Sequence, residues 1–276
     1  MLSSSVNTNV GAMIALQNLN ATNTELQTTQ NRINTGKKVA TAKDNGAIWA
    51  IAQGQRADIG ALNAVKQSLD RGVAAVDVAL AAGETVSDLL LQMKEKALAA
   101  TDESLKTAAR EALNEDFMAL RDQIASVTEN AEFNGVNLLA QSAEGFQALA
   151  NADGTSSLSV SPESMSLGST NVTITASQAI DTLSAATAAL TDIEDSIDNV
   201  SGALARLGTK SKALETHTTF IGKLSDALEA GVGNLVDADL AKESAKLQAL
   251  QTKQQLGVQA LGIANQTPQL VLSLFQ

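Results

Sequence analysis

Apolar side chains return every three or four positions along most of this chain, and only two prolines, Pro162 and Pro268, interrupt its 276 residues. That spacing lines up one face of an α-helix, and proline is what most reliably breaks one. The chain is therefore constrained to long helices. From about Asp44 to Ala100 the stripe is Ile48, Ile51, Ile59, Leu62, Leu69, Val73, Val76, Leu80, Val86, Leu90, Met93 and Ala97. Gly46, Gly54, Gly60, Gly72 and Gly83 fall within it, each at a cost of about 1 kcal/mol of helix propensity relative to Ala. Close approach of a neighbouring helix would offset that cost. Thr101-Asp102-Glu103-Ser104 breaks the pattern, and a second helix follows with Leu105, Ala109, Leu113, Phe117, Leu120, Ile124 and Val127 on one face. It ends at Glu132-Phe133-Asn134-Gly135, whose Asn-Gly pair is a strong turn signal. From about Ser177 a third long stripe keeps a near-heptad register: Ile180, Leu183, Leu190, Ile193, Ile197, Val200, Leu204, Leu207, Leu214, Ile221, Leu224 and Leu228.

Residues 140–176 differ. They are rich in Ser, Thr, Gly and Asn, and their short alternating runs SLSVS and NVTITA predict a small β-rich segment or hairpin. Gly231 and Gly233 predict a further break, and Pro268 predicts the end of the last helix or a bend in it. The fold class is mainly α: a long antiparallel helical coiled coil or bundle formed by the N- and C-terminal halves, with a small β-hairpin segment in the middle. Aromatic residues make up only 2% of the chain against 44% hydrophobic, which suits thin aliphatic seams better than one thick core.

The ionisable residues are unevenly placed. The stretches 1–24 and 254–276 contain none. Residues 1–34 hold one acid, Glu25, and one base, Arg32; residues 235–276 balance Asp237, Asp239 and Glu243 against Lys242, Lys246 and Lys253. The whole formal charge of −11 therefore lies in residues 35–234. Chain ends are usually polar and exposed, whereas these are uncharged and cheap to bury. Two readings account for them: contact with other copies of the chain, or docking on the chain's own middle. The candidate self-assembly residues are Val6, Val10, Met13, Leu16, Leu19, Leu26 and Ile33 near the start. Near the end they are Leu240, Leu247, Leu250, Leu256, Val258, Leu261, Leu270, Val271, Leu274 and Phe275. Asn23 and Gln30 fall in phase with the N-terminal stripe and weaken it.

Several classes of function are poorly supported. The acidic balance argues against nucleic acid, which requires a basic face. The C-terminal apolar run is interrupted by glutamines, Asn265 and Pro268, so no membrane insertion is expected. Without cysteine there is no disulfide and no thiolate site. The N-terminus lacks a basic segment ahead of an apolar run, so export without a cleaved signal is expected. His217 reads as a polar helix residue beside Leu214 and Ile221, with no nucleophile nearby to form a relay. Asp192, Glu194, Asp195 and Asp198 read as a solvated helix face, and Asn151-Ala152-Asp153-Gly154 as a turn. Asn171-Val172-Thr173 matches a glycosylation sequon, a weak signal by itself. No catalytic residue, metal ligand or cofactor is expected.

The run NTNVGAMIALQNLNATNTELQTTQNRINTGKKVATAKDNGAIWAIAQ resembles the opening of the bacterial flagellin family, including Thr35-Gly36, Ala42-Lys43-Asp44-Asn45-Gly46-Ala47 and Ala50-Ile51-Ala52. Glu132-Phe133-Asn134-Gly135 followed by Leu138-Leu139 is similar to a family turn. The ending, with Ala264-Asn265-Gln266 and Leu272-Ser273-Leu274, resembles the family C-terminus. The resemblance spans about residues 1–140 and 177–276. It implies a subunit of the flagellar filament, with 1–40 and 234–276 as filament-core helices. It further implies 41–139 and 177–233 as an outer helical domain and 140–176 as a short solvent-facing segment. The implied partners are other copies of itself and related flagellins, the flagellar type III export apparatus, a secretion chaperone, and the hook-junction and cap proteins. The implied location is extracellular. A hook–filament junction protein and a secreted coiled-coil effector or adhesin are the alternatives. Where many flagellins carry arginines read by an animal innate receptor, this chain has Gln53-Gly54 and Leu91-Gln92-Met93-Lys94-Glu95-Lys96-Ala97, and weak recognition is expected.

Overall fold

The computed structural model describes residues 8–273, with side chains through Gln266. Five helices are present among them: α1 Val10–Thr35, α2 Gly46–Ala100, α3 Thr107–Asn130, α4 Leu183–Val236 and α5 Leu240–Ser273. Local chemistry sets their ends. The Asn9 side chain accepts a hydrogen bond from the Ala12 amide and caps α1, while Gly36, at φ 68°, closes it in the left-handed conformation that glycine tolerates. Asn45 Oδ1 accepts from the Ile48 amide at the start of α2. Before it, the Asp44 carboxylate gathers the Ala40 and Thr41 amides and the Thr41 hydroxyl. The Thr41 amide is the main reason the Asp44 carboxyl sits below the usual aspartate range.

The chain divides into two compact units, residues 1–57 with 227–276 and residues 58–226. The second unit is built on heptads. On α2 the positions Leu62, Leu69, Val76, Gly83, Leu90 and Ala97 are buried, and so are Val65, Gly72, Ala79, Val86, Met93 and Ala100. On α4 Ala186, Ile193, Val200, Leu207, Leu214 and Ile221 are buried with the same seven-residue repeat. Phe117 and Ile124 are the buried large side chains of α3. The two buried glycines of α2 are close-approach sites. A Cβ on Gly83 would stand 2.7 Å from Leu204 Cδ2 and 3.2 Å from Met165 Sδ; one on Gly72 would stand 2.8 Å from Phe146 Cε2. Gly83→Val should lower unfolding stability by about 1–3 kcal/mol through overpacking. Gly60→Ala, at a position with nothing within 4 Å, should raise it by up to about 1 kcal/mol. Thermal unfolding of the two variants checks both signs.

Two hairpins complete this unit. β1 Glu132–Phe133 pairs antiparallel with β2 Val136–Asn137 across Asn134 and Gly135, at φ 51° and 83°, the two left-handed residues a tight hairpin turn needs. β3 Phe146–Leu149 pairs with β4 Ser157–Val160, in register from Phe146 opposite Val160 to Leu149 opposite Ser157.

The structure corrects four local expectations. NVTITA is not a strand. Val172 and Ile174 alternate inward, but the Thr173 amide donates to Ser196 Oγ at 3.0 Å and the Ile174 carbonyl accepts from the Gly168 amide at 2.8 Å, so no ladder forms. The third long helix starts at Leu183 rather than near Ser177. Thr182 Oγ1 caps it by accepting from the Ala185 amide, and buried Ile180 lies before the first turn, its amide donating to Asn114 Oδ1. Gly231 and Gly233 do not break α4, which continues to Val236. The break falls at residues 237–239, where Asp239 Oδ1 accepts from the Ala241 and Lys242 amides and so starts α5. Pro268 does not end α5, which runs on to Ser273.

Candidate assembly interface

The first unit contains the pairing of α1 with α5. From one end of the seam to the other, Asn9 Nδ2 donates to the Ala264 carbonyl at 2.7 Å. Gln254 Nε2 donates to Asn23 Oδ1 at 2.7 Å, Arg32 pairs with Glu243 at 3.0 Å, and Lys37 bridges Asp237 antiparallel. Gly257 admits Leu19, whose Cδ1 would stand 3.3 Å from an added Cβ. As one residue number rises the other falls in step, so the two chain ends form an antiparallel helical hairpin. Its seam is thin and partly polar: Thr22, Thr29 and Glu243 are buried within it beside Leu250. Asn23, which interrupts the apolar stripe of the sequence, is one of the residues that fix the register.

The candidate self-assembly residues fall into two groups. Leu19, Leu26 and Ile33 of α1 and Leu247 and Leu261 of α5 are half-buried, and Leu250 is 5% exposed. These line the hairpin seam of a single chain. Val10, Met13, Leu16, Leu240, Leu256 and Val258 are exposed, Met13 at 63% and Leu256 at 59%. Val6, Leu274 and Phe275 lie outside the described residues, and Leu270 and Val271 outside the described side chains. On α1 and α5 two further exposed apolar residues are not among the candidates: Ile14, and Ile263 at 68%. Ile14 immediately follows Met13, so a single-stripe reading passes over it.

The arrangement explains the charge-free ends. The N-terminal stretch without charge stops at Thr24 and the C-terminal one begins at Gln254. The Asn23–Gln254 hydrogen bond sets these two boundaries side by side. Within the described residues, 8–24 and 254–273 thus become one uncharged half of one hairpin. Val10, Met13, Ile14 and Leu16 on α1, and Leu256, Val258 and Ile263 on α5, lie in that half and remain exposed. Two paired helices cover only the faces they turn to each other. Exposed apolar groups concentrated in this way mark a surface that meets another molecule.

Elsewhere the chemistry-bearing residues are structural. His217 Nε2 lies 2.8 Å from the Ala150 carbonyl and its ring is tilted against Phe220, so it fastens the end of β3 to α4. In the acidic run of α4, Glu194 pairs with Lys94 at 2.9 Å and Asp192 accepts from Gln178 Nε2 at 2.7 Å. Asn151 and Gly154 form a turn, with Asn151 Nδ2 donating to Thr155 Oγ1. Asn171 of the sequon is buried, and its Nδ2 donates to the Ser164 carbonyl at 2.9 Å. Among the described residues no helix is long and apolar enough to cross a membrane, and no group of three His, Cys, Asp or Glu is placed to hold a metal ion.

Terminal helices that pair with each other and leave a charge-free apolar half uncovered, in a chain that also carries a heptad-built unit, define a structural, self-associating subunit. Residues 6–144 match the bacterial flagellin N-terminal helical region, and residues 190–275 match its C-terminal helical region. The chain is 58% identical to flagellin FljK and 57% identical to flagellin FljM of Caulobacter vibrioides, in each case over all of both chains. Its fold is similar to that of a putative flagellar hook-associated protein from Vibrio parahaemolyticus, with TM-score 0.56 and 13% identity, over 70% of this chain and 100% of that one. The chain belongs to the bacterial flagellin family. It is a structural subunit that self-assembles into the helical filament of the bacterial flagellum, the extracellular assembly used for swimming.

Proposed function

We propose that the uncharged half of the α1–α5 hairpin is the surface through which filament subunits bury one another. The observation that supports this most directly is the concentration of exposed Val10, Met13, Ile14, Leu16, Leu256, Val258 and Ile263 where neither helix carries a charge. Val6, Leu270, Val271, Leu274 and Phe275 belong to the same contacts, because they extend the same uncharged stretches. Leu19, Leu26, Ile33, Leu247, Leu250 and Leu261 act one step earlier, by holding the hairpin together. Residues 1–40 and 234–276 form the filament core, 41–139 and 177–233 the outer helical domain, and 140–176 a short β-rich central segment. The chain works by packing and not by catalysis. Its other partners are related flagellins in a mixed filament, the flagellar type III export apparatus with a secretion chaperone, and the hook-junction and cap proteins; this rests on the family resemblance.

Leu256→Asp tests the surface. The residue is exposed in the single chain, so its fold should be unchanged by circular dichroism. In a packed filament the carboxylate would be buried without a partner, at a cost of several kcal/mol. Elongation from short filament seeds, followed by electron microscopy, should fall to background. Normal filaments from this variant would place Leu256 on the filament's solvent side and remove α5's outer face from the interface.

A further inference from the structure

The passage of α5 through Pro268 needs a physical account. Proline has no amide hydrogen, so the carbonyl four residues earlier, that of Ala264, loses its intrahelical donor. The structure supplies a replacement from the other end of the chain, the 2.7 Å bond from Asn9 Nδ2. The same side chain turns its Oδ1 to the Ala12 amide at 3.0 Å and caps α1. Asn9 and Ala264 are both half-buried, and the helices come close here: a Cβ on Gly11 would stand 4.0 Å from the Ala264 Cβ and 3.5 Å from Asn9 Oδ1. One amide group thus satisfies two helix defects. One is the uncapped start of α1, and the other is the carbonyl left open inside α5.

We infer that Asn9 is a positioning residue that makes the helical course of α5 beyond Pro268 conditional on the docking of α1. With α1 in place, Ala264 has its donor and the helix continues to Ser273. With α1 away, the carbonyl loses that donor, and the ordinary preferences at proline end the helix just before it. The last turn of α5 then orders only when α1 is docked. In a filament subunit this confines a continuous C-terminal helix to chains whose N-terminal helix is already seated. The functional part of this inference rests on the assembly reading above; the joint itself does not.

The test uses the full-length chain and three variants. Asn9→Ser keeps a cap acceptor for the Ala12 amide but is too short to reach Ala264. Pro268→Ala restores a backbone donor to Ala264, and the double variant combines the two. Amide hydrogen exchange in seeded filaments should be about tenfold faster at residues 269–273 in Asn9→Ser than in the parent, the effect of one lost hydrogen bond. Exchange at residues 244–256 should not change. In the Pro268→Ala background the same Asn9→Ser change should have no effect on residues 269–273. Equal exchange in parent and Asn9→Ser, or a defect that Pro268→Ala leaves in place, would overturn the inference. Elongation by the parent on seeds is the control for the assembly reading. If the parent does not elongate, that reading fails, and the same four-way comparison on the soluble chain decides the joint.

Discussion

Removal of residues 254–276 should abolish elongation from seeds while residues 58–226 keep their fold. The deletion takes away exposed Leu256, Val258 and Ile263, and also Gln254 and Ala264, the partners of Asn23 and Asn9. It leaves untouched the heptads of α2 and α4 in the second unit, whose buried positions lie between Leu62 and Ile221. Thermal unfolding monitored by circular dichroism should therefore retain one cooperative transition near the parent's, with helicity reduced by the lost part of α5 and by fraying of the outer half of α1. Electron microscopy should show no filaments. Long filaments from the shortened chain would mean that the uncharged end is dispensable for assembly and would remove the interface from this half of the hairpin.

Leu250→Asp should separate α1 from α5. Leu250 is 5% exposed within one chain, so the substitution acts on the hairpin seam before any neighbour is met. It deletes a buried aliphatic side chain, worth about 2–5 kcal/mol on truncation. It also places a carboxylate at a buried position of the seam, where Arg32 is already engaged with Glu243 and desolvation is costly. A thin seam that contains Thr22 and Thr29 has little apolar packing to spare. The expected results are loss of amide protection along α1 and α5 and loss of assembly. Leu256→Asp should behave differently, losing assembly with the single-chain fold intact. That contrast separates a residue that builds the hairpin from one that joins hairpins together. If Leu250→Asp polymerised normally, the antiparallel α1–α5 pairing would not be the form the subunit takes in the filament.

The local elements were legible because their causes are local. The long helical stripe of α2, the near-heptad register of α4 and the turn at Asn134-Gly135 each follow from spacing or from a residue's own backbone preferences. Failures occurred where a distant group intervened. The alternation of NVTITA was read as a strand, yet the segment is held by Ser196 of α4 and not by a neighbouring strand. Gly231 and Gly233 were read as a break, but a glycine costs a helix only about 1 kcal/mol, and the surrounding packing carries α4 past both. Pro268 predicts an end or a bend; the end does not occur, and Asn9, 259 residues away in sequence, supplies a donor to the carbonyl the proline leaves open.

The sequence by itself determined that the chain is a set of long helices with uncharged ends, because charge, periodicity and turn chemistry are written residue by residue. Only the tertiary structure decided that the boundaries of those two uncharged stretches meet at Asn23 and Gln254. Only there does Leu250 become a seam residue and Leu256 an exposed one. The physical reason is register. A helical stripe shows which residues share a face, but which part of that face is covered depends on where a partner helix stops and starts. Here that is set by hydrogen bonds and an ion pair between residues more than two hundred positions apart.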